Sequence, residues 1–322
     1  MIKHDVVIIG GSLAGAACAR ELQRMGIDAI ALERDRFPRR KVCGGFLSAG
    51  GVDCLDQLGV LDDVRSAGAV DVKSAKVRVD SVEVEIPFER PGLGISRSAL
   101  DEIVARGGHV RQSCSISQVK RTGNGFLIAG PGLQLTSSVV VDAAGKLSRF
   151  TRRNAVEEFG IQYTEAGSSR STLDFAFFED GYGGSVSIEG GYSNYCYLIK
   201  KDKLAGYLNR FDCIVTGPLA YDKVPGEFIA IGDAAGMVDP FCGEGMRHAL
   251  DTGMLAARVV ARGLRSGANY DEMRREYEFE RRRRWSRKRA VGATIRRILA
   301  HQTMFSTALR LIPTWFLNHL WD

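Results

Sequence analysis

The chain has 322 residues, 45% hydrophobic and 25% charged, which is the composition of a globular protein long enough for one large or two intimate domains. Its seven cysteines, an odd number without paired C-x-x-C spacing, point away from a disulfide framework or a zinc site and toward a reducing cytoplasm, with no metal ligands to assign. The net charge of +6 is concentrated between 274 and 297, where eleven basic residues stand against three acidic ones, and no nucleic-acid recognition motif accompanies them.

The opening MIKHDVVIIGG predicts a buried strand at once, with no cleavable signal peptide, and no apolar run approaches the length of a membrane span. Val6 to Ile9 read as a β-branched strand, Ser12 to Met25 as a helix, and Asp28 to Leu32 as a second strand that ends at Glu33. This strand–helix–strand unit carries the string Gly10, Gly11, Ser12, Leu13, Ala14, Gly15. Dinucleotide sites use G-x-G-x-x-G because the turn, the approach to pyrophosphate and the helix packing each need a missing side chain. Here Ser12 stands at the middle glycine; it is small, and its hydroxyl can donate to phosphate. Glu33 is spaced to accept from ribose hydroxyls, and an acid there disfavours a 2′-phosphate. Arg34 follows it beside the same ligand.

Short alternating segments such as KVRVDSVEVEI and NYCYLI predict strands through the middle of the chain, roughly 72 to 95 and 109 to 200. No repeat or low-complexity linker divides the sequence, so a second domain would be an insertion within the first. In FIAIGDAAGMVDPFCGEGMRHAL, residues 228 to 250, Asp233 sits among Gly232, Ala234 and Ala235, and Glu244 lies between Gly243 and Gly245 where a helix begins. Small neighbours around lone acids predict a large polar ligand close to the backbone. His248, one helical turn after Glu244, reads as a packed helix histidine.

VVIIGGSLAG, RRKVCGGFLSAG, ISRSALD, VVVDAAGKLSR and FIAIGDAAGMVDPFCGEG occur in the order seen in a flavoprotein group. Through them the chain resembles the FAD-dependent aromatic hydroxylases, flavin halogenases and geranylgeranyl reductases, the last most closely. The resemblance implies an α/β fold: a Rossmann-like FAD-binding domain (1–71, 96–150 and 224–270) with an inserted antiparallel-sheet substrate domain (72–95 and 151–223). A basic and apolar helical segment, 271–322, would follow. By the same likeness Asp233 accepts from the ribityl hydroxyls of FAD, and Gly232 and Ala234 admit the diphosphate. Pro240, Gly243, Glu244, Gly245 and Met246 would lie against the flavin, with Arg97 near the phosphates and Cys43 and Gly44 flanking the ring. Cys43 is the candidate catalytic residue, as a polarizable wall or a proton donor. Asp142 and Gly145 match a segment linked to FAD and to transient NAD(P)H docking. Ala144 replaces that segment's second acid, so the electron donor stays open between NAD(P)H and another external source.

Tyr182, Tyr195 and Tyr197 are the candidate substrate residues, with Tyr195 and Tyr197 on one strand face and Cys196 on the other. All three tryptophans are C-terminal, so the W-x-W-x-I-P segment of the halogenases is absent. The expected activity is reduction or dehydrogenation of a carbon–carbon bond in a hydrophobic small molecule, whether isoprenoid, polyketide or lipid-like. A monooxygenase hydroxylating an aromatic or polyketide substrate and a non-catalytic binding protein are the alternatives. Segment 274–321 has two readings: attachment to an anionic membrane, through its basic run and Leu309, Leu311, Trp315, Phe316, Leu317 and Trp321, or a cap on the core. The protein is thus expected in the cytoplasm, or peripheral at a membrane.

Overall fold

The structure is a computed structural model that describes residues 2–107, 109–123, 125–153, 156–178, 181–208, 212–221, 223–224 and 226–299. The expected apolar arm from 303 to 321 lies outside the described residues.

Val6 to Ile9 are buried on both sides, as a central parallel strand requires, and the strand Ile2–Ile9 is the axis of the first sheet. It pairs in parallel with Ala29–Leu32 on one side and with Leu133–Asp142 on the other. Val110–Arg111 extends the sheet beyond Ala29–Leu32, and Gly125–Gly130 and Gln118–Thr122 extend the opposite edge antiparallel. Ile229–Ala230 returns from far along the chain to pair in parallel with Leu133–Asp142. In register, Ile9 faces Asp142 and Asp142 faces Ala230. Three loops therefore leave the carboxyl end of the sheet side by side: Gly10–Ser12, Ala143–Gly145 and Ile231–Asp233. That edge is where open α/β sheets form their ligand crevice.

The helix Leu13–Arg24 covers this sheet and packs against the helix Gly245–Ser266. Contact is close enough that a Cβ on Gly253 would stand 2.3 Å from the Ala14 carbonyl oxygen. The last helix, Tyr270–Leu299, lies outside both. Its Tyr270 hydroxyl donates to the Val140 carbonyl and accepts from the Ile229 amide, and two turns further along the same face the Tyr277 hydroxyl donates to the Ala230 carbonyl. The helix thus straps down the short strand that leads into Gly232 and Asp233.

The second sheet orders its strands Ile214–Thr216, Glu158–Ala166, Tyr192–Lys200, Gly181–Ile188, Thr172–Phe178, Val70–Val79, Val82–Gly94 and Phe46–Leu47. All neighbours are antiparallel except Thr172–Phe178 with Val70–Val79. One face packs Val77, Ile86, Leu173, Val186 and Phe241 into its own core, so the sheet forms a rigid wall opposite the crevice. The fold is the α/β arrangement expected from the sequence.

Candidate active site

A groove runs from the edge of the first sheet to the wall of the second. Gly10, Glu33, Arg34 and Arg39 line its outer part, and Ser12, Lys41, Ala143, Gly145, Lys146 and Thr216 line both the outer and the inner parts. At the turn after the first strand, Gly10 has φ +105°, and a Cβ there would stand 2.4 Å from the Ala143 carbonyl oxygen. The backbone conformation and the space both require glycine. Gly11 donates its amide to a Glu33 carboxylate oxygen at 2.9 Å, while the other oxygen accepts from the Asp35 amide at 3.0 Å. Glu33 is thereby fixed at the strand end, facing the groove, where it can accept from a ribose. Gly15 packs directly on Gly10 and lies behind the lining.

Ser12 donates to Asp101 at 2.9 Å and accepts from Arg97 at 2.7 Å. Arg97 and Asp101, one turn apart on the helix Arg97–Arg106, form an ion pair 2.7 Å long in which Asp101 is fully buried. Burial opposes the Asp101 charge, but Arg97, Lys41 and Arg39 together hold its carboxyl below the usual range. Burial and then Arg97 also push the Lys41 ammonium down. Arg97, Arg39 and Lys41 thus gather around one buried acid beside the groove, and Arg39 also reaches Glu33 at 3.7 Å and Asp35 at 3.4 Å. Asp101 carried no signal in the sequence beyond its spacing from Arg97.

Asp233 lies in the inner groove, in the turn Gly232–Ala235. Gly232 has φ +55°, and its amide donates to the Thr252 hydroxyl at 2.9 Å, which fixes the turn. No side chain or amide hydrogen-bonds the Asp233 carboxylate among the described residues. It stands as an acceptor with room for hydroxyl donors. Ala234 is buried behind it and does not face the groove.

Pro240, Gly243, Gly245 and Met246 line the inner groove, and Gly243 is left-handed at φ +64°. Glu244 does not join them. Its side chain is fully buried and receives Lys288 at 2.8 Å, Arg247 at 3.3 Å and the Ser48 hydroxyl at 3.4 Å, so it anchors the turn from behind. Asp142 is likewise fully buried: it accepts from the Ala144 amide at 3.0 Å and the Ser148 hydroxyl at 2.6 Å. Its carboxylate shapes the loop on which Gly145 faces the groove. His248 is fully buried, edge-on to Trp285 with ring centres 4.7 Å apart, and burial pushes it down to about 4.

Cys43 and Gly44 form one wall of the inner groove. Gln162 accepts from the Cys43 amide at 3.0 Å and donates to Asn194, whose own amide donates to the carbonyls of Cys43 at 3.0 Å and Gly44 at 2.8 Å. Two buried amides of the second sheet therefore hold the cysteine turn in place. They are far from it in sequence, and no local pattern marks them. Tyr182 lines the cavity and donates to Asp239 at 3.3 Å.

The tyrosine strand requires a correction. Tyr195 stacks on Tyr163 with ring centres 4.9 Å apart and is absent from the cavity lining, whereas Cys196 and Leu198 line it. Strand alternation is the cause: Tyr195 sits on the opposite strand face from its neighbour Cys196, which faces in. Tyr197 shares the Tyr195 face but still contributes to the lining. Burial pushes Cys196 up to about 12, so it presents a neutral thiol. Lys146 was not foreseen. Burial pushes it down to about 8 against the pull of Asp233, and it donates to the Thr216 hydroxyl.

A glycine cradle with an acid beside it, buried cations, an acceptor with room for donors and an apolar inner end fit the chemistry of FAD. The family model for the FAD binding domain matches residues 3–120. A digeranylgeranylglycerophospholipid reductase 2 of Methanosphaera stadtmanae is 25% identical, over 86% of this chain and 82% of its own length. Among solved structures, a geranylgeranyl bacteriochlorophyll reductase-like protein from Thermoplasma acidophilum superposes with a TM-score of 0.79 at 21% identity, covering 100% of this chain and 91% of its own. A myxobacterial chondrochloren halogenase gives 0.78 at 19% identity, with 90% and 82% covered. At these identities the two structures share the fold.

Proposed function

We propose an FAD-dependent oxidoreductase of the group that includes geranylgeranyl reductases and flavin halogenases, a reductase or dehydrogenase acting on a carbon–carbon bond of a hydrophobic, isoprenoid- or lipid-like substrate. One observation carries this reading. Beyond Cys43 the inner groove is lined by Phe46, Leu173, Phe175, Leu198, Leu219 and Val238, an apolar surface that suits a hydrocarbon rather than a polar ring.

Bound FAD supplies two-electron chemistry at its ring. The residues proposed to hold it are Gly10, Ser12, Glu33, Arg97, Gly232 and Asp233, with Arg34 at the open end and Pro240, Gly243, Gly245 and Met246 at the inner end. Cys43 and Gly44 would wall the reaction space, and Tyr182 and Tyr197 would border the substrate. Lys146 holds a proton at Nζ that it can release near neutral pH, which makes it the chain's candidate proton donor. NAD(P)H or another external donor would reach the groove directly, since the sequence holds one dinucleotide fingerprint. On the last helix Phe279 is 68% exposed, one turn from Arg275 and Arg283 and beside Arg282, a surface suited to an anionic membrane that would store such substrates.

Anaerobic reoxidation tests the reaction. FAD-loaded protein, reduced with dithionite and mixed without oxygen with an organic extract of cells lacking the chain, should lose its reduced spectrum. Flavin that stays reduced until oxygen enters would favour a hydroxylase and overturn the proposal.

A further inference from the structure

A second cavity, of about 420 Å³, lies between the last helix and the 237–239 segment. Arg281 lines it from a side chain that is 5% exposed. Its Nε is buried without a hydrogen-bond partner, and among the described residues no carboxylate pairs with its guanidinium. His248 and Tyr277 feel its charge from inside, and Asp251 and Glu278 act on Tyr277 from farther off without pairing with Arg281. A buried guanidinium nitrogen without a hydrogen-bond partner is costly, and the planar fork of the group matches the oxygens of a phosphate. Arg282, paired with Glu278 at 3.6 Å, and Arg289, which donates to the Tyr221 carbonyl, line the same cavity with Asp239. Asp239 Oδ1 already accepts from the Tyr182 hydroxyl and the Phe241 amide. Among the described residues Arg281 is the lining arginine with no partner of its own.

Met237 lines both this cavity and the apolar inner groove, so the two are neighbours across one side chain. We propose that the second cavity is an anion site for a phosphate group, carried as the head of the hydrophobic substrate or bound as free phosphate. The head-group form rests on the hydrophobic-substrate reading above.

Calorimetric titration of the FAD-loaded full chain with dodecyl phosphate below its micellar concentration, dodecanol and inorganic phosphate tests this. Dodecyl phosphate should bind at least tenfold more tightly than dodecanol, and Arg281→Gln should abolish that difference. Arg287→Gln, an exposed charge on the same helix, should preserve it. Inorganic phosphate whose binding depends on Arg281, with no gain from the dodecyl chain, supports the anion site and counts against the hydrophobic substrate. Dodecanol and dodecyl phosphate binding equally, with Arg281→Gln changing neither, supports the hydrophobic substrate and overturns the anion site. Should Arg281→Gln lose its FAD, Ser286→Trp, which fills the cavity from an exposed position, takes its place with the same expected outcomes.

Discussion

Asp233 concentrates the question of cofactor binding in one carboxylate. If its oxygens accept from ribityl hydroxyls, removing them leaves those donors unpaired, at a cost of about 1–3 kcal/mol. Asp233→Ala should therefore purify with less FAD at limiting cofactor, read from visible absorbance; occupancy equal to the parent chain would remove the residue from the site. His248 makes a prediction of another kind. Burial lowers its folded pKa to about 4 from an ordinary value of 6.5. Protonation thus favours the unfolded chain, so stability is lost as pH falls from about 6.5 toward 4, by roughly 3 kcal/mol at most. His248→Phe should flatten the denaturation midpoint across that window, and an unchanged slope would show that other groups dominate. Residues such as Asp233 and Glu33 were readable because their neighbours are small and their spacing is local. Gln162, Asn194 and Asp101 were not, since their partners lie far along the chain and only the folded pairing reveals them. Glu244 shows the limit from the other side: an acid between glycines suggested a ligand, and its partners turned out to be Ser48, Arg247 and Lys288.

At the scale of elements, the first strand, helix and second strand were legible because hydrophobic period and glycine placement agree. The strand Tyr192–Lys200 was legible as a strand, and the facing of its alternate residues was read correctly. Which face meets the groove depends on how the sheet docks, and no strand pattern encodes that. Helix packing gives a direct test. The Cβ of Gly253→Ala would meet the Ala14 carbonyl, backbone that cannot rotate aside, so the two helices must separate. Overpacking of this kind costs about 1–3 kcal/mol, and the variant should show a lower thermal midpoint with retained secondary structure. A midpoint equal to the parent's would mean the helices tolerate more separation than the structure implies. The last helix also revised a composition-based expectation. Its basic run looked like one charged surface, but Arg274, Arg284 and Lys288 pair with acids and Arg281 turns inward.

For the whole molecule, three loops from one sheet edge face a wall built by the other sheet, and the groove between them changes from polar to apolar along its length. No helix among the described residues is long and apolar enough to cross a membrane. Phe279 and the exposed arginines around it are the described surface on which the proposed peripheral attachment can be tested. Protein should float with anionic vesicles at low salt and release at high salt, and Phe279→Ser with Arg283→Gln should weaken that binding. Protein that stays in the soluble fraction at both salt concentrations would exclude this route of substrate access. The reaction itself is tested most directly by mass spectrometry of organic extracts from cells carrying either the parent chain or Asp233→Ala. The account predicts a hydrophobic compound whose mass differs between the two by two hydrogens, and a difference of one oxygen would contradict it.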